Sequence, residues 1–193
     1  MILPIVAYGH SNLRKVSKPI EPGHPGLEQL IADMFETMYQ SQGVGLAAPQ
    51  VNQSIRLFVV DSAPYAEENP ELAGFRKVFI NPCIVEELGE ESVFNEGCLS
   101  IPEIREDVTR KSKIRLQYQD TEFRSYDEYF DGIPARIIQH EYDHLEGKLF
   151  VDRISPLRKM LLKRKLNDIS TGNITISYKM IFPAVKKKAG IRV

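Results

Sequence analysis

The chain has 193 residues, 42% of them hydrophobic and 26% charged, with a formal net charge of −1. That balance suits one globular catalytic-sized domain spanning 1–193 and gives no overall charge that would call for DNA as a partner. The opening ten residues lack a basic region and are broken by Pro4, no apolar run reaches membrane-spanning length, and two cysteines are too few for a disulfide scaffold, so a cytoplasmic protein without membrane contact is expected.

Residues 1–24 read as irregular, rich in Pro and Gly after a short apolar start at 2–6. From Leu27 the period turns helical. Leu27, Leu30, Ile31, Met34, Phe35 and Met38 share one face, and Glu28, Gln29, Asp33, Glu36 and Thr37 take the other. Gly43-Val44-Gly45-Leu46-Ala47-Ala48-Pro49-Gln50 then ends the helix. It reads either as a C-cap with a turn or as a loop laid against a ligand, where Gln50 would offer two N–H donors. Residues 55–60 suggest a buried strand and 61–74 a polar loop. Short strands are expected at 78–80 and 84–86 around Asn81-Pro82, at 92–94 before Glu96-Gly97-Cys98-Leu99-Ser100, at 113–118, and within 123–130. Ser155-Pro156 looks like the start of a helix running to about Asn167, Gly172 breaks it, and 174–182 is β-rich. Strands before helices, with few β-α-β alternations, make the class α+β.

The densest chemistry lies in Gln139-His140-Glu141-Tyr142-Asp143-His144. Ile133, Ile137, Ile138, Leu145 and Leu149 give it mostly helical apolar spacing, and Gly147 marks a stop. Residues four apart on a helix sit about 40° apart around its axis, one turn above the other. His140 and His144 can therefore aim two nitrogens at one metal ion. Glu141 is turned roughly 100° away from His140, badly placed as a ligand but well placed to take a proton from a metal-bound water. A third ligand is needed. Glu146 lies on another face, and His10 and His24 sit in the irregular segment. Cys98, after a glycine at a strand end, is the better candidate; a core cysteine is its alternative, and core is the expectation for Cys83. Two rival readings remain open on these residues: a metallopeptidase cutting internal peptide bonds, or a structural metal site, which would ordinarily have four protein ligands.

The three motifs beginning at Gly43, Glu96 and Gln139 resemble, in that order and separation, those of the peptide deformylases, with similarity reaching to about residue 168. The resemblance implies antiparallel strands surrounding a central HExxH helix, followed here by a further C-terminal helix and strand. It implies metal ligands Cys98, His140 and His144, Glu141 as general acid/base, and the Gln50 side chain and Leu99 backbone N–H as donors to a developing oxyanion. A methionine pocket would come from Val44, Phe94, Ile133, Arg136 and Ile137, with Gly45 pairing to the extended peptide. Arg136 departs from the frequent aliphatic residue; its stem is expected to line the pocket while its guanidinium reaches solvent. The implied reaction removes formyl from the N-terminal formyl-methionine of new polypeptides and releases formate. One divalent ion is implied, ferrous iron physiologically, with zinc or another divalent ion as the alternative. Residues 153–193 carry eleven Lys/Arg against the single acid Asp168. That basic region is a solvated face by default, and ribosome docking is the sharper reading.

Overall fold

The structure, a computed structural model, describes residues 1–67 and 69–183. Its elements are β1 (Ile5–Val6), α1 (Leu27–Gln40), β2 (Gly45–Ala47), β3 (Leu57–Asp61), β4 (Arg76–Cys98), β5 (Ile101–Gln119), β6 (Ser125–Asp131), α2 (Gly132–Leu145), α3 (Pro156–Leu161), α4 (Lys163–Thr171) and β7 (Met180–Ile181). Strands β2 to β6 form one antiparallel sheet in chain order, and β1 pairs in parallel with β7. The class is α+β, as expected.

Strand β3 explains how the layers stack. Leu57 and Val59 pack with α1, while Phe58 and Val60 pack with α2. Successive side chains on a strand point to opposite faces, so a strand covered on both sides is apolar throughout. The predicted stripe of α1 is buried through Leu27, Ile31, Met34, Phe35 and Met38. The helix ends at Ser41, before the glycines, and Gln42 makes the reversal at φ +57°. Gly43 and Gly45 are needed for something else.

Several predicted strands prove to be parts of two long ones. Strand β4 runs through Asn81-Pro82 because its register with β5 shifts between Ile80 and Cys83, which relieves the proline of a ladder hydrogen bond. Asn81 takes φ +49° there, and its side chain pairs with both backbone groups of Ile20 at 2.9 and 2.8 Å. Cys83 is exposed rather than core, because the pleat turns Pro82 inward and its neighbour outward. On β5 the inward row is Ile104, Glu106, Val108, Arg110, Ile114, Leu116 and Tyr118. Its two charged members are both paired.

Helix α2 begins where the Asp131 side chain accepts the Gly132 N–H at 2.7 Å. Ala135, Ile137, Ile138 and Leu145 pack onto Phe58, Val60, Phe79, Ile114, Leu116 and Phe130. Every residue from Ala135 to His144 except Tyr142 is buried, so its polar side chains must find partners inside. Gly147 reverses the chain at φ +68°, and Leu149 lies beyond the helix in a separate cluster with Val6, Leu13 and Phe150.

The expected C-terminal helix breaks at Leu162 into α3 and α4, and Gly172 caps α4 at φ +75°. The predicted strand at 174–182 narrows to β7. The residues before it still alternate, with Ile174, Ile176, Tyr178 and Met180 half-buried between exposed neighbours. The basic run Lys186-Lys187-Lys188 lies outside the described residues. No described helix is long and apolar enough to cross a membrane.

Candidate active site

Cys98 closes β4, and Leu99-Ser100 makes the turn into β5 beside α2. Its Sγ and one nitrogen each from His140 and His144 lie within 4.8 Å of one another. Among the described residues no other trio of metal-capable side chains is so arranged. Two of the rival third donors are engaged elsewhere, His10 accepting the Asn12 N–H at 3.2 Å and Glu146 accepting from Arg56 at 2.7 Å, and His24 is not grouped with the two histidines.

The donor set fits a divalent transition ion. His140 Nδ1 faces Glu96 Oε2 at 2.9 Å, which places the ring proton there and turns the other nitrogen's lone pair to the centre. His144 Nε2 lies 3.4 Å from Cys98 Sγ. Glu141 Oε2, beside the three donors, is a buried side-chain polar atom without a hydrogen-bond partner among the described residues. Buried polar groups are seldom left unpaired without a functional reason. Two imidazoles and a thiol are one donor fewer than the four that ordinarily close a structural site, so an ion they held would be free to take water or substrate.

The electrostatics follow from burial. Desolvation pushes the Glu141 carboxyl up to about 7 and takes the His144 imidazole down to about 3. Burial also opposes charge on His140, but the Cys98 sulfur and the Glu96 carboxylate outweigh it and raise its pKa. Burial opposes charge on Glu96 too, yet Arg110 and then His140 hold it ionised well below the carboxylate range. A cation at the three donors would add a further pull towards ionised Glu141.

Behind the three donors runs a buried chain of charge. Arg110 grips Glu96 through Nε and a terminal nitrogen at 2.7 and 2.9 Å and reaches Asp143 at 2.7 Å. Arg153 clamps the same Asp143 at 2.6 Å twice. Arg136 corrects an expectation. Its guanidinium does not reach solvent but donates to Glu96 Oε1 at 3.2 Å, Val108 O at 3.2 Å, and Ser92 O and Oγ at 2.7 and 2.8 Å. The acceptors facing it on β4 and β5 satisfy most of the donor fork, so the head stays inside.

The motif glycines now have a reason. A Cβ on Gly43 would lie 2.8 Å from Leu99 Cδ1, and one on Gly45 would lie 2.8 Å from Glu141 Cγ and Cδ. Both positions give room to site residues. Gln50 is oriented by the Ala47 N–H, which donates to its Oε1 at 2.8 Å; its Nε2 then points to Cys98 Sγ at 3.5 Å and Ser100 Oγ at 3.3 Å.

These groups open on a cavity of about 490 Å³. Of the residues expected in the site, Val44, Gly45, Gln50, Phe94, Cys98, Leu99, Arg136, Ile137, His140 and Glu141 line it. His144 sits behind the wall. Ile133 is not brought to the cavity; one turn of helix before Ile137 it packs into the cluster around Phe130. Glu96 and Tyr178 also line the cavity and were not expected there. Glu96 had a signal, since residues two apart on a strand share a face and it stands two before Cys98. Tyr178 had none.

The family model described as polypeptide deformylase matches residues 2–160. A peptide deformylase of Christiangramia forsetii is 53% identical, with 97% of this chain and 99% of that protein covered. The crystal structure of a Legionella pneumophila peptide deformylase superposes with TM-score 0.79 at 39% identity, covering 90% of this chain and 98% of that one. A Met-Ala-Ser-bound deformylase from Acinetobacter baumannii gives TM-score 0.73 at 37% identity, covering 80% and 99%. With these matches spanning nearly its whole length, the chain belongs to the polypeptide deformylase family, metal-dependent hydrolases that remove the N-terminal formyl group from nascent peptides.

Proposed function

We propose that this single domain carries out deformylation with Cys98, His140 and His144 holding one divalent cation, ferrous iron in the cell, and Glu141 moving the proton. The observation behind this reading is the unpartnered Glu141 carboxylate buried beside the three converging donors. When bound, the ion supplies Lewis acidity to water and to the formyl oxygen. Glu141 accepts the proton released as water adds to the formyl carbon. Negative charge grows on the former carbonyl oxygen, and Gln50 Nε2–H and the Leu99 backbone N–H receive it as donors. Glu141 then returns its proton to the departing nitrogen, the C–N bond breaks, and formate and a free amino terminus leave. Val44, Phe94 and Ile137 offer an apolar wall for the methionine side chain, with the Arg136 stem beside them and its head tied away. The Gly45 backbone pairs with the extended peptide.

A thiolate beside two imidazoles suits a softer ion than magnesium or calcium, and between iron and zinc the family resemblance favours ferrous iron. Formate release from formyl-Met-Ala-Ser by protein loaded anaerobically with iron or zinc tests both claims. Faster turnover with iron is expected, and equal rates would defeat the choice of ion. Cleavage of a blocked internal peptide at a comparable rate would defeat the reaction. For the basic C-terminal region we propose ribosome contact, supported by its excess of eleven Lys/Arg over one acid from residue 153 on, although Arg158 and Lys159 are themselves paired with Glu106 and Asp152. Absence of co-sedimentation with ribosomes at low salt would remove it.

A further inference from the structure

The C-terminal segment has no part in the reaction as described, yet it reaches the active site. Pairing of β7 with β1 anchors it, with the Ile5 N–H donating to Lys179 O at 2.9 Å and the Ala7 N–H to Ile181 O at 2.8 Å. The alternation leading into β7 turns Tyr178 inward, where its ring joins the wall of the cavity. Its hydroxyl donates to the Leu99 carbonyl at 2.7 Å.

That contact completes a set. The turn between Cys98 and Ile101 carries two residues, and each carbonyl is held from outside the hairpin. The Tyr8 N–H donates to Ser100 O at 2.8 Å, and Tyr178 takes Leu99 O. The Leu99 side chain is seated where Gly43 leaves space for it. Residue 99 is thus fixed by its side chain on one side and its carbonyl on the other. Its amide is then restrained from both sides, since Cys98 before it closes β4 and the Leu99 Cα after it is held by the seated side chain and carbonyl.

We propose that Tyr178 is a positioning residue for the deformylation site, using its hydroxyl to hold the Leu99 backbone so that the Leu99 N–H is already aimed at the developing oxyanion. This rests on the reading that Leu99 N–H is one of the two oxyanion donors. Tyr178 lies beyond residue 160, where the match to the family model ends. The turn that the motif encodes is therefore set from a part of the chain that the motif does not include. Preorganised donors count because they need no reorganisation as charge develops, and a loosened donor loses part of that benefit. The loss should be smaller than the 10²–10³-fold typical of deleting a donor.

The test is Tyr178→Phe beside Gln50→Ala, assayed on formyl-Met-Ala-Ser with metal content measured. Tyr178→Phe is expected to lower kcat about 10-fold with KM within about twofold, while metal content and Tm stay at wild-type values. Hydrogen exchange should quicken in the peptide covering 97–100 and stay unchanged in the one covering β1. Unchanged kcat in Tyr178→Phe, with Gln50→Ala clearly impaired, overturns the proposal and leaves the oxyanion reading standing. A fall in kcat that tracks lost metal or lowered Tm also overturns it, since that would be a structural role. Full activity in Gln50→Ala would instead sink the oxyanion assignment itself.

Discussion

Glu141→Ala is expected to reduce kcat by about 10³-fold, roughly 4 kcal/mol of transition-state stabilisation, while the protein still binds its ion. Glu141 is one helical position from His140 but is not a ligand, so its removal leaves all three donors in place. Formate release with metal analysis on the same sample would check this; activity within a few-fold of wild type would refute the role. Gly45→Ala approaches the same carboxylate from the opposite wall. The added methyl would meet Glu141 Cγ and Cδ at 2.8 Å, and a flexible side chain can swing aside at little cost in stability. The displaced carboxylate should then cost activity while Tm barely moves. A third measurement uses the buried carboxyl's titration in chelator-treated protein. Below its ordinary value of 4.5 the group is neutral whether the chain is folded or not. As pH rises from there to about 7 the unfolded chain ionises first, so the folded state loses stability, and the loss is complete above about 7. Glu141→Gln should therefore stabilise the metal-free protein more at pH 8 than at pH 5. A Tm difference that does not depend on pH would contradict this.

Arg110→Met is expected to destabilise the fold by about 3–5 kcal/mol, because it takes a partner from two buried carboxylates at once. Its side chain is 1% exposed and those of Glu96 and Asp143 are 4%. Asp143 keeps Arg153, and Glu96 keeps Arg136 and His140, so the network is weakened but not emptied. At this chain length the loss corresponds to a fall in Tm of roughly 10 °C. There should be a second, separable effect. Arg110 fixes Glu96, and Glu96 fixes the tautomer of His140; losing such outer support typically weakens metal affinity 10–100-fold. Thermal unfolding with and without a metal buffer would separate the two. A variant as stable as wild type that also keeps its ion would show that the network is dispensable.

The two histidines, their helix and the apolar stripe of α1 were legible because each is a matter of spacing within one element. Cys98 was only a candidate by residue chemistry, since its nearness to α2 depends on where a hairpin folds. The continuity of β4 was hidden by Asn81-Pro82, which reads as a break until a register shift accommodates it. For Arg136 the cavity position was legible but not the acceptors waiting for its guanidinium on β4 and β5. Ile133 lies one turn away from the cavity, in the cluster around Phe130. Cys83 was taken for core on the habit of its residue type, and the pleat decided otherwise. Arg110 and Tyr178 had no local signal at all; each acquires its role through partners far away in sequence.

Strand β3 has no polar residue from Leu57 to Val60 to say which side belongs to which helix. What distinguishes its faces is bulk: aliphatic chains meet α1, and the Phe58 ring lies 4.8 Å from that of Phe79 on the α2 side. A slip of one residue would leave those contacts greasy and yet misfit, and it would also pull Asp61 from the Tyr39 hydroxyl of α1 at 2.6 Å, so shape and one polar contact together hold the strand in place. Gly45 sits opposite Val60 on the neighbouring strand. The elbow room enjoyed by the proton-carrying carboxylate is therefore guarded by the girth of a phenyl ring in the strand next door.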